Sequence, residues 1–532
     1  MDNPLLFAVL LPLVGTLLVA IFGSNSHVGA RWTALLVSLA TLGFVSAVTL
    51  GYLNGHPLSV DRPWFNSPLV DIRFSLALDG LSLWMFALAG LLSITAILVS
   101  WEAIRERAAL FYSMLLLLES GMLGVFAARD IILFYVFFEF TLIPLFFLIG
   151  IWGSEERRYA AIKFFLYTLA GSMLTFLGLL SIVLWVYYQT GQQQMIFSIS
   201  GLTAALAEHP LPLGLQLPIF LGLFAGFAIK VPLFPLHTWL PLAHVQAPTA
   251  GSVILAGILL KIGTYGFLRF SLPMLPDATI SCMPWILGLS AAGIIYGALV
   301  ALAQADMKRL IAYSSVSHLG YCMLGIFALN KIGMQGGTLQ MINHGLSTGG
   351  LFAVIGMLYE RYHTRQISAL GGIAQRTPML AVFMLLFTFS SIGLPGLNGF
   401  AGEFLVLVGM FQRAWSESPG IYRTAWITFA VLGVFGVVLG AWYMLWLVQR
   451  VFFGPLREPH HDDHHGHHEP IHDLSLREAL ALIPLVVFMF WIGLVPQQFL
   501  QPMAADLDKV EAVVAKAYAR HDWQTVTAEK AP

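Results

Sequence analysis

Charge is the scarcest property of this sequence. Only 10% of its 532 residues are Asp, Glu, Lys or Arg, whereas a soluble domain carries about 25%. A water-facing surface cannot be built from so few. Cysteine is almost absent too: there are two, Cys282 and Cys322, each inside an apolar run. They read as small core residues and exclude a disulfide framework or a cluster of iron–sulfur ligands. The net charge of −1 gives no reason to invoke nucleic acid. No Gly-rich fingerprint follows a strand-like run, so a dinucleotide fold is excluded. No basic residue precedes the first apolar run, since the first is Arg31; that favours a retained first helix over a cleaved signal peptide.

What the chain does have is apolar length. Apolar residues make up 58% of it, in continuous runs rather than the ~10-residue alternation of barrel strands. Backbone in lipid must satisfy itself, so these runs read as transmembrane helices. The expected fold is an all-α polytopic membrane protein with about fourteen helices, near 4–22, 32–53, 80–100, 110–127, 131–151, 161–187, 217–241, 248–270, 279–303, 309–329, 334–359, 379–412, 424–449 and 479–500. Lys and Arg fall about twice as often in loops after odd-numbered helices (Arg31, Arg105, Arg107, Arg157 and Arg158 among them) as after even-numbered ones. The odd loops are therefore expected in the cytoplasm and both termini on the other side.

Two of these helices are interrupted. The seventh reads G-F-A-I-K-V-P-L-F-P-L-H, with Pro232 and Pro235 just after Lys230; the twelfth reads S-S-I-G-L-P-G-L-N-G-F-A-G-E-F, with Pro395 ahead of Glu403. Such breaks survive at membrane depth only against protein or a water-lined cavity. Paired breaks in corresponding positions suggest inverted repeats around a transport site. The expected organisation is helices 1–3 over 1–109, a first five-helix repeat over 110–270 (helices 4–8), a second over 279–450 (helices 9–13), a His-rich loop over 451–477, and helix 14 with its tail over 478–532.

Five charged residues, Glu119, Glu139, Lys230, Lys261 and Glu403, fall well inside apolar runs. Each costs at least about 2.5–3.5 kcal/mol at the bilayer centre on insertion scales, which packing alone does not justify. Burial and a nearby opposite charge act in opposite senses on such groups. A Glu–Lys pair whose separation varies can therefore pass a proton. His237, His318 and His344 add relay capacity, although a lone helical histidine also serves as a hydrogen-bonded core residue. Haem or copper ligation finds no suitably spaced partners. The tract from Pro459 to Asp473, with His460, His461, His464, His465, His467, His468 and His472, reads as a solvated loop with adventitious metal affinity.

At these residues the sequence becomes similar to a known family. The run H-T-W-L-P-L-A-H-V-Q-A-P-T-A-G-S-V-I-L-A-G-I-L-L-K-I-G-T-Y-G, the segment D-M-K-R-L-I-A-Y-S-S-V-S-H-L-G from Asp306 to Gly320, and Y-E-R-Y-H-T-R ending at Arg365 resemble the antiporter-like membrane subunits of respiratory complex I and their multisubunit sodium/proton antiporter relatives. With helix number and topology, the resemblance spans nearly the whole chain. It implies a proton path in which Glu139 and Lys230 form a paired switch, Lys261 is the central relay and Glu403 the end station, with His237, His318 and His344 between them. Glu at the last position, rather than Lys, and the lack of a long lateral extension resemble the chain M type of that family. The resemblance implies that NADH, FMN, iron–sulfur clusters and quinone belong to partner subunits, that two antiporter-like siblings are among the partners, and that the location is a bacterial inner membrane. A sodium/proton antiporter or membrane-bound hydrogenase subunit is the alternative. Leu242 stands where the family usually has Asp, so no role of that acid carries over. Glu119 lies outside the matched pattern, either a lateral relay or paired to a neighbour.

Overall fold

The computed structural model describes residues 3–191, 193–416, 420, 422–459 and 471–521. The chain opens with the helical pair α1 (Pro4–Phe22) and α2 (His27–Leu53), then strands β1 (Ser59–Asn66) and β2 (Val70–Ala77). Next come α3 (Leu83–Val99), α4 (Ala108–Ala127), α5 (Ile131–Phe140), α6 (Leu142–Trp152), α7 (Arg157–Thr190), strand β3 (Met195–Ile196), α8 (Ile199–Glu208) and α9 (Leu213–Lys230). A short α10 (Trp239–Gln246) precedes α11 (Thr249–Ile254), α12 (Leu260–Gly266) and α13 (Leu272–Met274), which are joined by π turns at Leu255–Leu259 and Phe267–Ser271. The second half holds α14 (Pro276–Leu302), α15 (Met307–Ile326), α16 (Lys331–Tyr362), α17 (Pro378–Ser391), α18 (Asn398–Trp415), α19 (Arg423–Phe452), α20 (Leu476–Leu494) and α21 (Gln497–Arg520).

Among the described residues, eleven helices are long and apolar enough to cross a membrane, with α3 and α17 as shorter apolar companions. Their starts are written locally. Ser26, Asp130, Asp306 and Asn330 each turn a side-chain oxygen onto a backbone N–H of the following first turn, satisfying donors the helix itself cannot. Ser475 and Glu478 form a reciprocal capping box at α20, and Asp473 accepts from the N–H groups of Met379 and Leu380 at the start of α17.

The core runs along α11–α13 and α16, whose apolar windows are wholly buried, while α1 and α20 lie at the periphery with Leu17, Ile21, Phe22, Leu480 and Val487 turned outward. Small residues let backbones meet in this core. A Cβ on Gly336 of α16 would come within 2.5 Å of the Val406 nitrogen of α18, so only glycine fits that crossing.

The structure adds elements that the hydropathy pattern does not reveal. β1 and β2 form an antiparallel hairpin, Ser59 opposite Ala77 and Asn66 opposite Asp71, with β3 parallel to β2. Arg73 bridges to Asp61 at 2.8 Å and holds that carboxyl below its usual range. The expected last helix, 479–500, divides at Val495 and Pro496 into α20 and α21. α21 lays Phe499, Met503, Leu507, Val510 and Val514 against the bundle. It is absent from the membrane-length apolar helices, because its other face is polar. His460 to His468 lie outside the described residues, whereas the His472 carbonyl accepts from Arg361 Nε at 2.9 Å.

Candidate functional site

The two prolines after Lys230 end α9 there, and helix resumes only at Trp239. Pro232 takes a positive φ of 27° within this break. In the second half α17 stops at Ser391 and α18 starts at Asn398, with Pro395 between them. Gly393 and Gly396 take φ of 73° and 93° there, which glycine adopts without steric cost. Each break has a buried charge beside it: Lys230 is the last residue of α9, and Glu403 follows the start of α18 at Asn398 by five residues.

Four of the expected residues form a continuous polar run. Lys261 is fully buried on α12; its ammonium donates to the Ala256 carbonyl, which sits in the first π turn, and lies 2.6 Å from Nδ1 of His344 on α16. The His344 and His318 rings stand 5.8 Å apart, centroid to centroid. His318 Nδ1 meets Oε1 of Glu403 at 3.1 Å, and Gln340 Nε2 donates to the same oxygen at 3.1 Å. Nε2 of His318 faces Ser391 Oγ at 3.1 Å and the Tyr443 hydroxyl at 3.4 Å.

This network fixes proton positions. A carboxylate accepts only, so neutral His318 carries its hydrogen on Nδ1 and accepts from Ser391 through Nε2. Lys261 donates only, so Nδ1 of His344 is an acceptor while the lysine is charged. Nε2 of His344 then bears the hydrogen, and it has no hydrogen-bond partner among the described residues.

Glu139 and Lys230 belong to the other half. The Lys230 ammonium stands 4.8 Å from the Phe138 ring centroid. No ion pair joins Lys230 to Glu139 among the described residues, and Glu139 Oε1 has no hydrogen-bond partner there. The backbones of this half and of the Lys261 helix touch: a Cβ on Gly263 would lie 2.5 Å from the Phe227 carbonyl oxygen and 2.9 Å from the Val231 nitrogen. Glycine there brings the end of α9 against α12.

Two expected residues stand apart. His237 lies in the break after Lys230, beside Tyr296 and Tyr313 with ring centroids 5.1 and 6.4 Å away, and its Nδ1 has no hydrogen-bond partner among the described residues. Glu119 is fully buried on α4, where it accepts from Ser38 of α2 at 2.6 Å. That places it on the α1–α2 side of the bundle.

Sequence reasoning missed His244 and Lys308. His244 is fully buried, stacks on Phe352 at 4.5 Å, and has no hydrogen-bond partner for either ring nitrogen among the described residues. Lys308 donates to the Ala247 carbonyl and lines a cavity of about 480 Å³ with Glu102, Arg105, Glu360, His363 and Arg365. The signal for His244 was present in the sequence, as the second histidine of H-T-W-L-P-L-A-H. Lys308 was hidden because Lys beside Arg309 at a helix start reads as a loop charge. Among the described residues no group of three or more His, Cys, Asp or Glu could hold a metal ion.

A polytopic helical membrane protein with two broken helices and a buried line of Lys, His and Glu side chains is the class that fold and site define. Residues 128–440 match the family described as NADH:quinone oxidoreductase/Mrp antiporter, TM, and the chain belongs to this family. It is 42% identical over 504 residues to NADH-ubiquinone oxidoreductase chain 4 of Chondrus crispus, covering 94% of this chain and 95% of that one. With NADH-quinone oxidoreductase subunit M of Rhodobacter capsulatus the identity is 40% over 509 residues, 93% and 94% of the two chains. Among solved structures, a chain of respiratory complex I from Thermus thermophilus with bound NADH superposes with a TM-score of 0.82 at 32% identity, covering 96% and 99%. A chain of the membrane-bound sulfane sulfur reductase, an archaeal respiratory membrane complex, shares the fold, with a TM-score of 0.78 at 24% identity and coverage of 95% and 78%.

Proposed function

We propose that this chain is the proton-translocating, antiporter-like membrane subunit of an NADH:quinone oxidoreductase, of the type named subunit M or chain 4. Relatives of that name match along more than nine-tenths of the chain, which favours this reading over an antiporter or hydrogenase subunit. The observation that carries the transport role is the line Lys261, His344, His318, Glu403, in which each member can both hold and release a proton. A water between the two imidazoles completes the wire, since no hydrogen bond joins them among the described residues.

Glu139 and Lys230 form the switch of the first half. With no ion pair between them and Phe138 beside the ammonium, this is the open state of a pair that closes when both groups are charged, since only then do they attract. The cavity lined by Lys308 and Glu360 supplies protons through His244 to Lys261. Its lining comes from loops after odd-numbered helices, the side where Lys and Arg collect, so it opens to the cytoplasm and both chain ends face away. Helices 4–8 and 9–13 are the two inverted repeats, each contributing one broken helix. NADH, FMN, iron–sulfur clusters and quinone are held by other subunits, two of the neighbours are antiporter-like siblings, and the assembly sits in a bacterial inner membrane. Glu119 is hydrogen-bonded to its neighbour Ser38 and stands off this path.

The test is Lys261→Ala in the assembled complex, reading NADH-driven proton uptake into vesicles against complex content. Loss of uptake with the complex present is expected. Undiminished uptake rules out the path.

A further inference from the structure

The helix that carries Lys261 is poorly determined by its own hydrogen bonds. α12 is seven residues long and is bounded on both sides by π turns, Leu255–Leu259 and Phe267–Ser271. A π turn holds one residue more than an α turn. Gaining or losing such a turn rotates the helix beyond it by about 100°, the angle of one residue at 3.6 per turn. With two of them, the direction in which Lys261 points needs an outside reference.

That reference is present at the far end of the same face. Lys261, Tyr265 and Arg269 follow at intervals of four, so they stack along one side of the helix. Arg269 Nε donates to the Tyr265 hydroxyl at 3.0 Å, and its two terminal nitrogens fork onto the two oxygens of Asp79, each at 2.7 Å. Asp79 belongs to the loop between β2 and α3. It accepts again from Arg129 at 2.8 Å, whose Nε holds the Ala77 carbonyl at 3.0 Å. The next residue, Gly80, donates its N–H to Asp506 of α21 at 2.8 Å. The carboxylate is thus tied to the α4–α5 junction, to the strand end and, through its neighbour, to the C-terminal helix. The Tyr265 ring is wedged against Phe126 at 5.2 Å. A planar guanidinium forked on a carboxylate fixes orientation as well as distance.

We infer that Asp79 and Arg269, with Tyr265 and Arg129, are positioning residues for the proton relay: they lock the outer π turn so that Lys261 is held against His344. None of the four touches the relay atoms, and none was singled out for a functional role by the sequence. The inference rests on the proposed path through Lys261, and the test separates the two.

Arg269→Lys keeps the charge but cannot fork onto Asp79 and reach Tyr265 together. In the assembled complex, NADH-driven proton uptake per complex should fall by about tenfold to a hundredfold, because misplacing a reacting group by an ångström costs up to about a hundredfold. The pH profile of quinone reduction should shift with it, as Lys261 loses its histidine. Pairing Asp79→Asn with Arg269→Gln replaces the charged fork by two amides that can bond to each other, and should restore part of the coupling. If Arg269→Lys does not accumulate, Tyr265→Phe reads the same quantities, removing only the hydroxyl. A variant that assembles with unchanged proton uptake and pH profile, while Lys261→Ala abolishes uptake, overturns the positioning role alone. Normal uptake in Lys261→Ala overturns the path beneath it.

Discussion

Glu403 offers the sharpest separation of chemistry from packing. It is 5% exposed, and one of its oxygens, Oε1, accepts from both His318 Nδ1 and Gln340 Nε2. Truncation in Glu403→Ala strands both donors. A buried unsatisfied donor costs about 1–3 kcal/mol, so the pair amounts to about 2–6 kcal/mol before any cavity is counted. That is enough to lower the amount of assembled complex visibly. Glu403→Gln leaves a carbonyl oxygen able to accept from the same two donors, so the complex should accumulate normally. Its amide cannot take up or release a proton, and proton uptake should collapse. Glu403→Asp keeps the acid on a shorter arm and should fall between Glu403→Gln and the parent. The assay is NADH-to-quinone turnover and vesicle proton uptake, each divided by complex content on the same membranes. Full uptake in Glu403→Gln would refute the role of the carboxyl. Equal complex content in the Ala and Gln variants would refute the count of stranded donors.

Glu139→Gln should assemble and lose turnover and proton uptake together; Lys230→Arg should do the same, because a guanidinium does not release its proton at these pH values. Normal pumping in assembled Glu139→Gln would falsify the switch. A C-terminal reporter that works only in the cytoplasm should be silent, and a strong signal would mean the charge bias has been assigned to the wrong face. Asp79 is buried, which by itself would raise its pKa, but Arg269 and then Arg129 hold the carboxyl well below its usual value. Its contribution is therefore complete above the unfolded value of roughly 3.9 and fades only as pH falls toward the lower folded one. Proteolysis of the β1–β2 hairpin should stay constant from neutrality down to about that value and rise in stronger acid; a rise already near neutrality would contradict this.

The sequence by itself determined the class of fold and the chemical cast. Lipid forces the backbone to satisfy its own hydrogen bonds, so apolar length alone placed the helices. The cost of charge in that medium made Lys230, Lys261, Glu139 and Glu403 stand out before any coordinate. Proline and glycine marked both broken helices, since they act on the chain where they lie. Tertiary structure decided what no local signal encodes. It brought His344 to Lys261, and His318 to Glu403, across more than 80 residues of chain in each pair. It set His237 and Glu119 apart, although by residue type and hydropathy they look equal to the others. It buried His244 against Phe352 and Lys308 at the Ala247 carbonyl, made α21 a helix lying along the bundle rather than a tail, and tied the Lys261 helix to Asp79. Each of these depends on which faces of distant helices meet. That is set by the summed fit of small residues such as Gly263 and Gly336 at the crossings, a property of pairs of segments that no single segment carries.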